Sequence, residues 1–341
     1  ISLTAFGVSF VTSYTRVTHD AIYNLRNACN LNSSTKVCAL SERQMQFWED
    51  VDDGLKNISR YHETSSTGLS MDRIKTFAKT ARGEISIPQP SVVGHQPSEE
   101  YVHGLTAKPF WDARGDSAQF PWAEKLEDQS HIIIEELEAK LARDQAGNSL
   151  FAGDSSLQNQ VMGSGWSAYR LQRLGVWNAE NCKEFPRTYN LLQSLEIPLA
   201  VRGVCFAKQG PQSGVQPHSD GRNFILTSHL GLKIPEGCWF DVANEKKTWI
   251  EGKLTTVDTS FEHSTGNPSN EDRYVLIVDF WHPELNDAER SALELVYDLR
   301  NKFESGMVPV RTPRSILQQR ENIRKSQGDG LAGLWKSLTG G

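Results

Sequence analysis

The chain has 341 residues, with 36 Lys and Arg against 42 Asp and Glu, and the net charge of −6 excludes a generally basic nucleic-acid-binding protein. No run of about 18 apolar residues occurs, so the sequence predicts no transmembrane span. The five cysteines form no Cys-x-x-Cys pair, which argues against a zinc ribbon, and their odd number favours a reducing compartment over a disulfide framework.

Residues 1 to about 80 are predicted to be mainly helical, with amphipathic stretches around residues 19–29 and 41–61. Cys29 and Cys38 lie in this region and could pair. Several prolines among Gly, Ser and Glu then indicate a long loop over residues 82–105. Residues 1–106 are therefore expected to form an N-terminal helical region that ends in a Pro-rich linker.

A helix is predicted from Pro121, because leucine and isoleucine recur at helical spacing up to residue 141. Residues 143–165 are rich in Gly, Ser, Asn and Asp and are expected to form a loop. The pattern then changes to short β-prone segments separated by turn residues. These predicted strands are residues 201–206, 224–232, 238–242, 253–257 and 274–280.

A final helix is predicted after Asn286, since Glu289 is placed to complete a capping box and apolar residues recur from Ala292 to Phe303. The tail after Arg311 is basic and is expected to be a peripheral arm. The order of elements indicates an α+β protein whose antiparallel core is a sandwich or jelly roll. The expected divisions are residues 1–106, 107–292 and 293–341.

His218 and Asp220 are two residues apart, so on a strand their side chains would project from the same face. His263 follows 45 residues after His218. Two histidines and one carboxylate form the facial triad of non-haem Fe(II) oxygenases, which leaves positions open for a co-substrate and O2. The pattern is weak by itself, because a histidine in a strand is more often structural than a ligand.

Arg273 opens an apolar strand ten residues after His263. A guanidinium at the mouth of a β-core suits bidentate binding of a carboxylate, although a salt bridge with Glu271 or Asp272 is an alternative. Together with the triad, this arginine indicates a metal site that also holds a dicarboxylate such as 2-oxoglutarate. Asp258 and Glu262 are expected to orient His263.

Three stretches resemble the aspartyl/asparaginyl β-hydroxylase catalytic domain. They include His-Leu-Gly-Leu at residues 229–232, Ser-Phe-Glu-His at 260–263 and Trp-His-Pro-Glu-Leu at 281–285. The resemblance covers about residues 107–292. It implies a double-stranded β-helix (jelly-roll) core with flanking helices, which binds Fe(II) and 2-oxoglutarate and inserts oxygen into a C–H bond.

The resemblance carries over to individual residues. His218 and His263 match the metal-binding histidines of the family. Arg273 matches the arginine that binds the distal carboxylate of 2-oxoglutarate, and His229 matches a histidine that contacts the same co-substrate.

The chain also departs from the family pattern. Asp220 stands where the animal enzymes have glycine, and it could supply a third metal ligand or only form a turn before Gly221. Thr227 replaces a second co-substrate arginine and Ala207 replaces a serine, so the other carboxylate of 2-oxoglutarate would be held differently. Arg222 is a speculative substitute.

Tyr189 replaces a cysteine that would pair with the equivalent of Cys182 in the animal enzymes. This difference argues against the lumen of the endoplasmic reticulum and favours the cytoplasm or an organelle stroma.

The expected function is therefore an Fe(II)/2-oxoglutarate-dependent dioxygenase that releases succinate and CO2. Its partners would be O2 and a small-molecule or peptide substrate, without nucleic acid or a membrane span. Alternatives are a protein Asp/Asn β-hydroxylase, a cupin-like metal enzyme that uses no 2-oxoglutarate, and a non-catalytic β-helix that serves as a binding module.

Overall fold

The computed structural model describes residues 42–64, 69–86, 92–98, 100–144, 151 and 165–304. Seven helices in this part of the chain are α1 (Glu42–Thr64), α2 (Asp72–Ala81), α3 (Ala123–Asp128), α4 (Ser130–Asp144), α5 (Ala179–Glu184), α6 (Pro186–Ser194) and α7 (Asp287–Glu304). The strands are β1 (Phe110–Trp111), β2 (Trp166–Arg173), β3 (Val176–Trp177), β4 (Leu199–Gln209), β5 (Ser213–His218), β6 (Ile225–Lys233), β7 (Trp239–Val242), β8 (Glu245–Lys247), β9 (Leu254–Asp258), β10 (His263–Asn267) and β11 (Arg273–Trp281).

The strands form two antiparallel sheets. The larger has seven strands in the order β1-β9-β6-β11-β4-β2-β3, and the smaller has four in the order β5-β10-β7-β8. All five predicted strands are confirmed, as β4, β6, β7, β9 and β11. The expectation of an α+β protein with an antiparallel core is therefore correct.

The central strand β11 is almost continuously apolar because both of its faces are covered. Its outward face packs with α3, α4 and α6 in a core cluster that includes Leu276, Val278 and Phe280. Its inward face joins a second cluster with residues of the smaller sheet, among them Phe240 and Val242. The two sheets thus pack face to face, and α3, α4 and α6 cover the outer side of the larger one.

The N-terminal helices pack on the C-terminal helix rather than apart from the β-core. Ile74 and Phe77 of α2 share one buried cluster with Phe224 and with Leu293 of α7. The predicted capping box is confirmed: the Asn286 side chain accepts from the backbone N–H of Glu289, and the Glu289 carboxylate accepts from the N–H of Asn286, both at 3.0 Å.

The helix predicted from Pro121 is two helices, because the chain turns between the end of α3 and the start of α4. The stretch at 19–29, the Cys29–Cys38 pair and the tail after Arg311 lie outside the described residues. Within the described ranges, every helix is too short or too polar for a transmembrane span.

Candidate functional site

His218 and His263 are brought together by the pairing of β5 with β10. His218 is the last residue of β5 and His263 the first of β10, and the two are directly opposed, with ring centroids 4.3 Å apart. In each ring Nδ1 lies within hydrogen-bond distance of a backbone carbonyl, that of Gln216 at 2.8 Å and that of Phe261 at 2.9 Å. A proton on Nδ1 that donates to the carbonyl leaves the Nε2 lone pair available to a metal ion.

Asp220 lies in the turn that follows β5. Its backbone N–H donates to the Thr259 carbonyl at 2.9 Å. Gly221 follows with a φ of +72°, and a Cβ there would lie 2.5 Å from Ser98 Cβ, so glycine is needed for this turn. The Asp220 side chain is not used in the turn, because its Oδ2 accepts from Arg202 and its Oδ1 lies 3.8 Å from His218 Nε2.

These three side chains could hold a divalent metal ion. One ligand atom from each of His218, Asp220 and His263 lies within 4.8 Å of the others. Burial would raise the pKa of Asp220, but the charge of Arg202 and the neighbouring imidazoles hold it well below its usual range. Burial lowers the pKa of His263 to about 4. The site thus offers an ionised carboxylate and a neutral imidazole at neutral pH, which is the form that binds a metal.

Arg202, on β4, is a site residue that the sequence analysis missed. Its Nη1 donates to Asp220, and its Nη2 donates to Asp279 Oδ1 at 3.0 Å and to Thr227 Oγ1 at 2.8 Å. Arg202 therefore joins the candidate metal ligand to the centre of the larger sheet. The signal that could have indicated it is an arginine within the apolar run Leu199–Ala207 of this strand.

Arg273 is buried, and no described residue supplies a counter-charge to it. Its side chain lies over the Trp249 ring, with Cζ 4.5 Å from the centroid, and its Nε has no hydrogen-bond partner. The predicted alternative partners bind elsewhere, since Glu271 pairs with Lys233 and Asp272 with Lys208. Burial lowers the pKa of Arg273 to about 10, so the group is still a cation at neutral pH.

His229 is held in one tautomer. The Trp249 Nε1–H donates to His229 Nδ1 at 3.2 Å, and the ring stacks on Phe240 at 5.1 Å. Burial and the nearby Arg273 charge lower the pKa of His229 to about 3. The ring is therefore neutral and carries its proton on Nε2, where it can donate to a ligand.

Two other expected co-substrate residues have partners within the protein. The Thr227 hydroxyl donates to Asp279 Oδ1 at 2.6 Å and accepts from Arg202. Arg222 donates to the buried Glu100, and its guanidinium lies 5.9 Å from the centre of the Tyr297 ring. Both residues still line the same cavity as the triad.

Asp258 and Glu262 do not hydrogen-bond to His263, contrary to the expectation that they orient its ring. The Glu262 carboxylate accepts from Gln96 at 2.9 Å. Asp258 Oδ1 accepts from the Ser260 N–H and hydroxyl at 2.9 and 2.6 Å, while Oδ2 has no partner. The Phe261 carbonyl fixes the His263 ring instead.

Asp258 should make the stability of the fold depend on pH. Burial raises its pKa to about 7, well above that of the same carboxyl in an unfolded chain. Between about pH 4 and pH 7 the folded state retains a proton that the unfolded state releases, so this group destabilises the fold as the pH rises. We therefore compare the free energies of unfolding of Asp258→Asn and wild type, measured with urea. The advantage of the variant over wild type should grow by about 2–4 kcal/mol from pH 5 to pH 8. An unchanged difference at the two pH values would contradict this assignment.

One cavity of about 410 Å³ connects these groups. The candidate metal ligands, His229 and Arg273 line it together with inward-facing residues of β2, β4 and β11. The arrangement can hold a metal ion and, beside it, a ligand with at least one carboxylate.

Residues 127–283 match the family model described as Aspartyl/Asparaginyl beta-hydroxylase. Aspartyl/asparaginyl beta-hydroxylase of Homo sapiens is 35% identical over 198 residues, which are 57% of this chain and 25% of that protein. The Mus musculus protein of the same name is 33% identical over 57% of this chain and 26% of its own length. Aspartate beta-hydroxylase domain-containing protein 2 of Xenopus tropicalis is 30% identical over 71% of this chain and 64% of that protein. The chain thus spans about a quarter of the length of the human and mouse relatives.

Two solved structures are also similar. One is an oxidoreductase of the 2OG-Fe(II) oxygenase family from Burkholderia pseudomallei, with 13% identity, a TM-score of 0.31 and coverage of 46% of this chain and 81% of that one. The other is a Pseudomonas putida prolyl-4-hydroxylase, with 16% identity, a TM-score of 0.29 and coverage of 45% and 87%. These scores are too low to assign the fold in detail.

The exclusion of the endoplasmic-reticulum lumen is wrong. The human and mouse relatives belong to a family known for enzymes of that lumen. The reason that we gave, the loss of one cysteine opposite Cys182, affects only a single disulfide. Such a loss does not determine the compartment.

The span that matches the family contains all three candidate metal ligands, and also His229 and Arg273. Sequence similarity and the residues that converge in the cavity therefore lead to the same conclusion. The resemblance to the aspartyl/asparaginyl β-hydroxylase family is therefore confirmed over residues 127–283 of this chain.

Proposed function

We propose that this protein is an Fe(II)- and 2-oxoglutarate-dependent dioxygenase that hydroxylates a C–H bond of its substrate, with release of succinate and CO2. The observation that carries the proposal is a single cavity with a two-histidine, one-carboxylate donor set and a buried guanidinium that lacks a carboxylate partner among the described residues. A buried charge without a partner destabilises a fold, so an anionic ligand would explain Arg273.

The donor set suits Fe(II). His218 and His263 would supply two imidazole nitrogens and Asp220 one carboxylate oxygen, which leaves coordination positions open. Asp220 would bind through a single oxygen, because Arg202 holds the other. When bound, the metal would supply the activation of O2 and the chemistry of oxygen insertion.

The co-substrate would lie between the triad and Arg273. Arg273 would bind the distal carboxylate through two parallel N–H···O bonds, and His229 would donate from Nε2 to the same molecule. Thr227 would contribute to this site indirectly, since its hydroxyl and Arg202 together fix Asp279 in the cavity wall. The aromatic rings of Trp249 and Phe240 pack against His229 and exclude water from that side.

We further propose that the two facing antiparallel sheets form a variant of the double-stranded β-helix that the family resemblance implies. The names of the human and mouse relatives favour an Asp or Asn side chain of a protein as substrate. A small molecule is the other candidate, because Thr227 and Ala207 replace residues that the animal enzymes use.

Spectroscopy without oxygen tests the proposal most directly. We expect the full chain, mixed anaerobically with one equivalent of Fe(II) and with 2-oxoglutarate, to develop a weak visible charge-transfer band that requires both additions. Admission of O2 should then produce succinate, measured by mass spectrometry. Samples without metal, or without 2-oxoglutarate, are the controls.

The absence of both the band and succinate would support a non-catalytic binding module. Substrate oxidation that proceeds without 2-oxoglutarate would support a cupin-like metal enzyme. Either outcome would refute the proposed function.

A further inference from the structure

Two guanidinium groups on the cavity wall have no carboxylate partner among the described residues. One is Arg273, to which the proposed function assigns the co-substrate. The other is Arg170 on β2, which is half-buried and forms no salt bridge with any residue in the described part of the chain. Arg170 therefore presents a positive charge to the cavity that the proposed chemistry does not use.

Three other arginines of the wall, Arg202, Arg222 and Arg300, are neutralised. Arg202 is paired with Asp220 and Asp279. Arg222 and Arg300 share the buried carboxylate of Glu100, and Arg300 also binds Glu304 at 2.9 Å. This contrast indicates that the unpaired charge of Arg170 is a local feature rather than a property of the whole wall.

Arg170 and His229 lie on the same face of the larger sheet, three strands apart. Directly paired residues run across four strands from His229 to Ile277, then to Cys205 and then to Arg170. Three strand spacings separate the first and last of these backbones by about 14 Å. Arg170 therefore extends from a different part of the cavity wall than His229.

The Arg170 side chain is held in position before any ligand binds. Its Nη1 donates to the backbone carbonyl of Arg202 at 2.8 Å, and its own carbonyl accepts from the Asn181 side chain at 2.6 Å. The rest of the guanidinium is available for further hydrogen bonds. Leu174, in the turn after β2, and Val201 of β4 also line the cavity and offer an apolar surface.

We propose that Arg170 binds an anionic oxygen group of the substrate, carboxylate or phosphate, at a point remote from the oxidised carbon. This inference rests on the proposed function for the identity of the reaction, but the binding of an anion at Arg170 does not depend on it. The substrate would have an anionic end anchored at Arg170 and an apolar section that reaches towards the metal site.

Fluorinated probes can test the subsite in the full-length chain. We would measure 19F NMR binding of 4-fluorobenzoate, 4-fluorophenyl phosphate and neutral 4-fluorobenzyl alcohol, anaerobically, with Fe(II) and saturating 2-oxoglutarate so that Arg273 is occupied. Arg170→Gln should weaken binding of the anionic probes about 10-fold or more and leave the neutral probe unchanged. The carboxylate and phosphate probes distinguish the two kinds of anion.

Arg170→Lys keeps the charge and should retain part of the affinity, which separates loss of charge from loss of folding. Arg187→Gln, an exposed arginine on α6, is the matched control and should bind all probes as wild type does. Equal affinity of wild type and Arg170→Gln, or no binding of either anion by wild type, would overturn the proposal. If the probes bind in an Arg170-dependent way but the charge-transfer band never forms, only the proposed function fails.

Discussion

His263→Ala will lose Fe(II) binding and all formation of succinate. The change removes one of the two imidazoles at the paired ends of β5 and β10, and the remaining ligands cannot enclose the ion. Even the loss of a residue that only supports a metal ligand typically weakens metal binding about 10–100-fold. Removal of the ligand itself should therefore lower the Fe(II) affinity at least about 100-fold. Anaerobic Fe(II) titration by calorimetry measures the affinity directly.

The matched control is His131→Ala, which removes an exposed histidine on α4. We expect this variant to bind Fe(II) as wild type does. Circular dichroism should show that both variants are folded, since the His263 ring lines the cavity and contacts the apolar cluster only at the edge of Phe240. Normal metal affinity in folded His263→Ala protein would refute the assignment of the ligand.

Arg273→Met will weaken 2-oxoglutarate binding by about 100-fold or more, because it removes a buried cation to which no residue of the described ranges supplies a counter-charge. The same change should leave the stability of the ligand-free protein equal or higher. Removal of an unpaired buried charge in favour of an apolar side chain of similar length avoids its desolvation cost. Titration of the visible band gives the dissociation constant, and urea unfolding gives the free energy.

Two further variants make this result specific. Arg273→Lys keeps the charge but not the planar pair of donors, so its affinity should lie between wild type and Arg273→Met. Arg187→Met removes an exposed cation paired with Glu135. It should change neither the affinity for 2-oxoglutarate nor the free energy of unfolding by much. A marked loss of stability in ligand-free Arg273→Met, with 2-oxoglutarate binding unchanged, would show that Arg273 is structural.

The parts of the fold that the sequence predicted well have strong local patterns. Strand β11 is a continuous apolar run because it is buried on both faces, and α7 begins with a capping box. Strands β5 and β10 were not predicted, since their sequences Ser-Gly-Val-Gln-Pro-His and His-Ser-Thr-Gly-Asn lack apolar alternation. Both strands direct polar side chains into the cavity. They therefore lack the alternation of apolar and polar residues that would have identified them as strands.

The site residues, too, were predictable from the sequence only where the signal is local. The spacing of His218 and Asp220 predicted that they lie close together, and the structure brings them within reach of His263. Arg202 could not be found in this way, because its contacts with Asp220 and Asp279 depend on which strands are neighbours. Strand order is a long-range property, and a single sequence without homologues does not reveal it.

Strand β11 carries Arg273 at its first residue and Asp279 near its last, about 20 Å apart on the inward face. This strand is the fourth of seven and is hydrogen-bonded on both sides, so the distance between the backbones of these two charged residues is fixed. Any opening or closing of the cavity must then come from the smaller sheet or from α7. The separation of Arg273 and Asp279 therefore sets the length of ligand that can contact both charges.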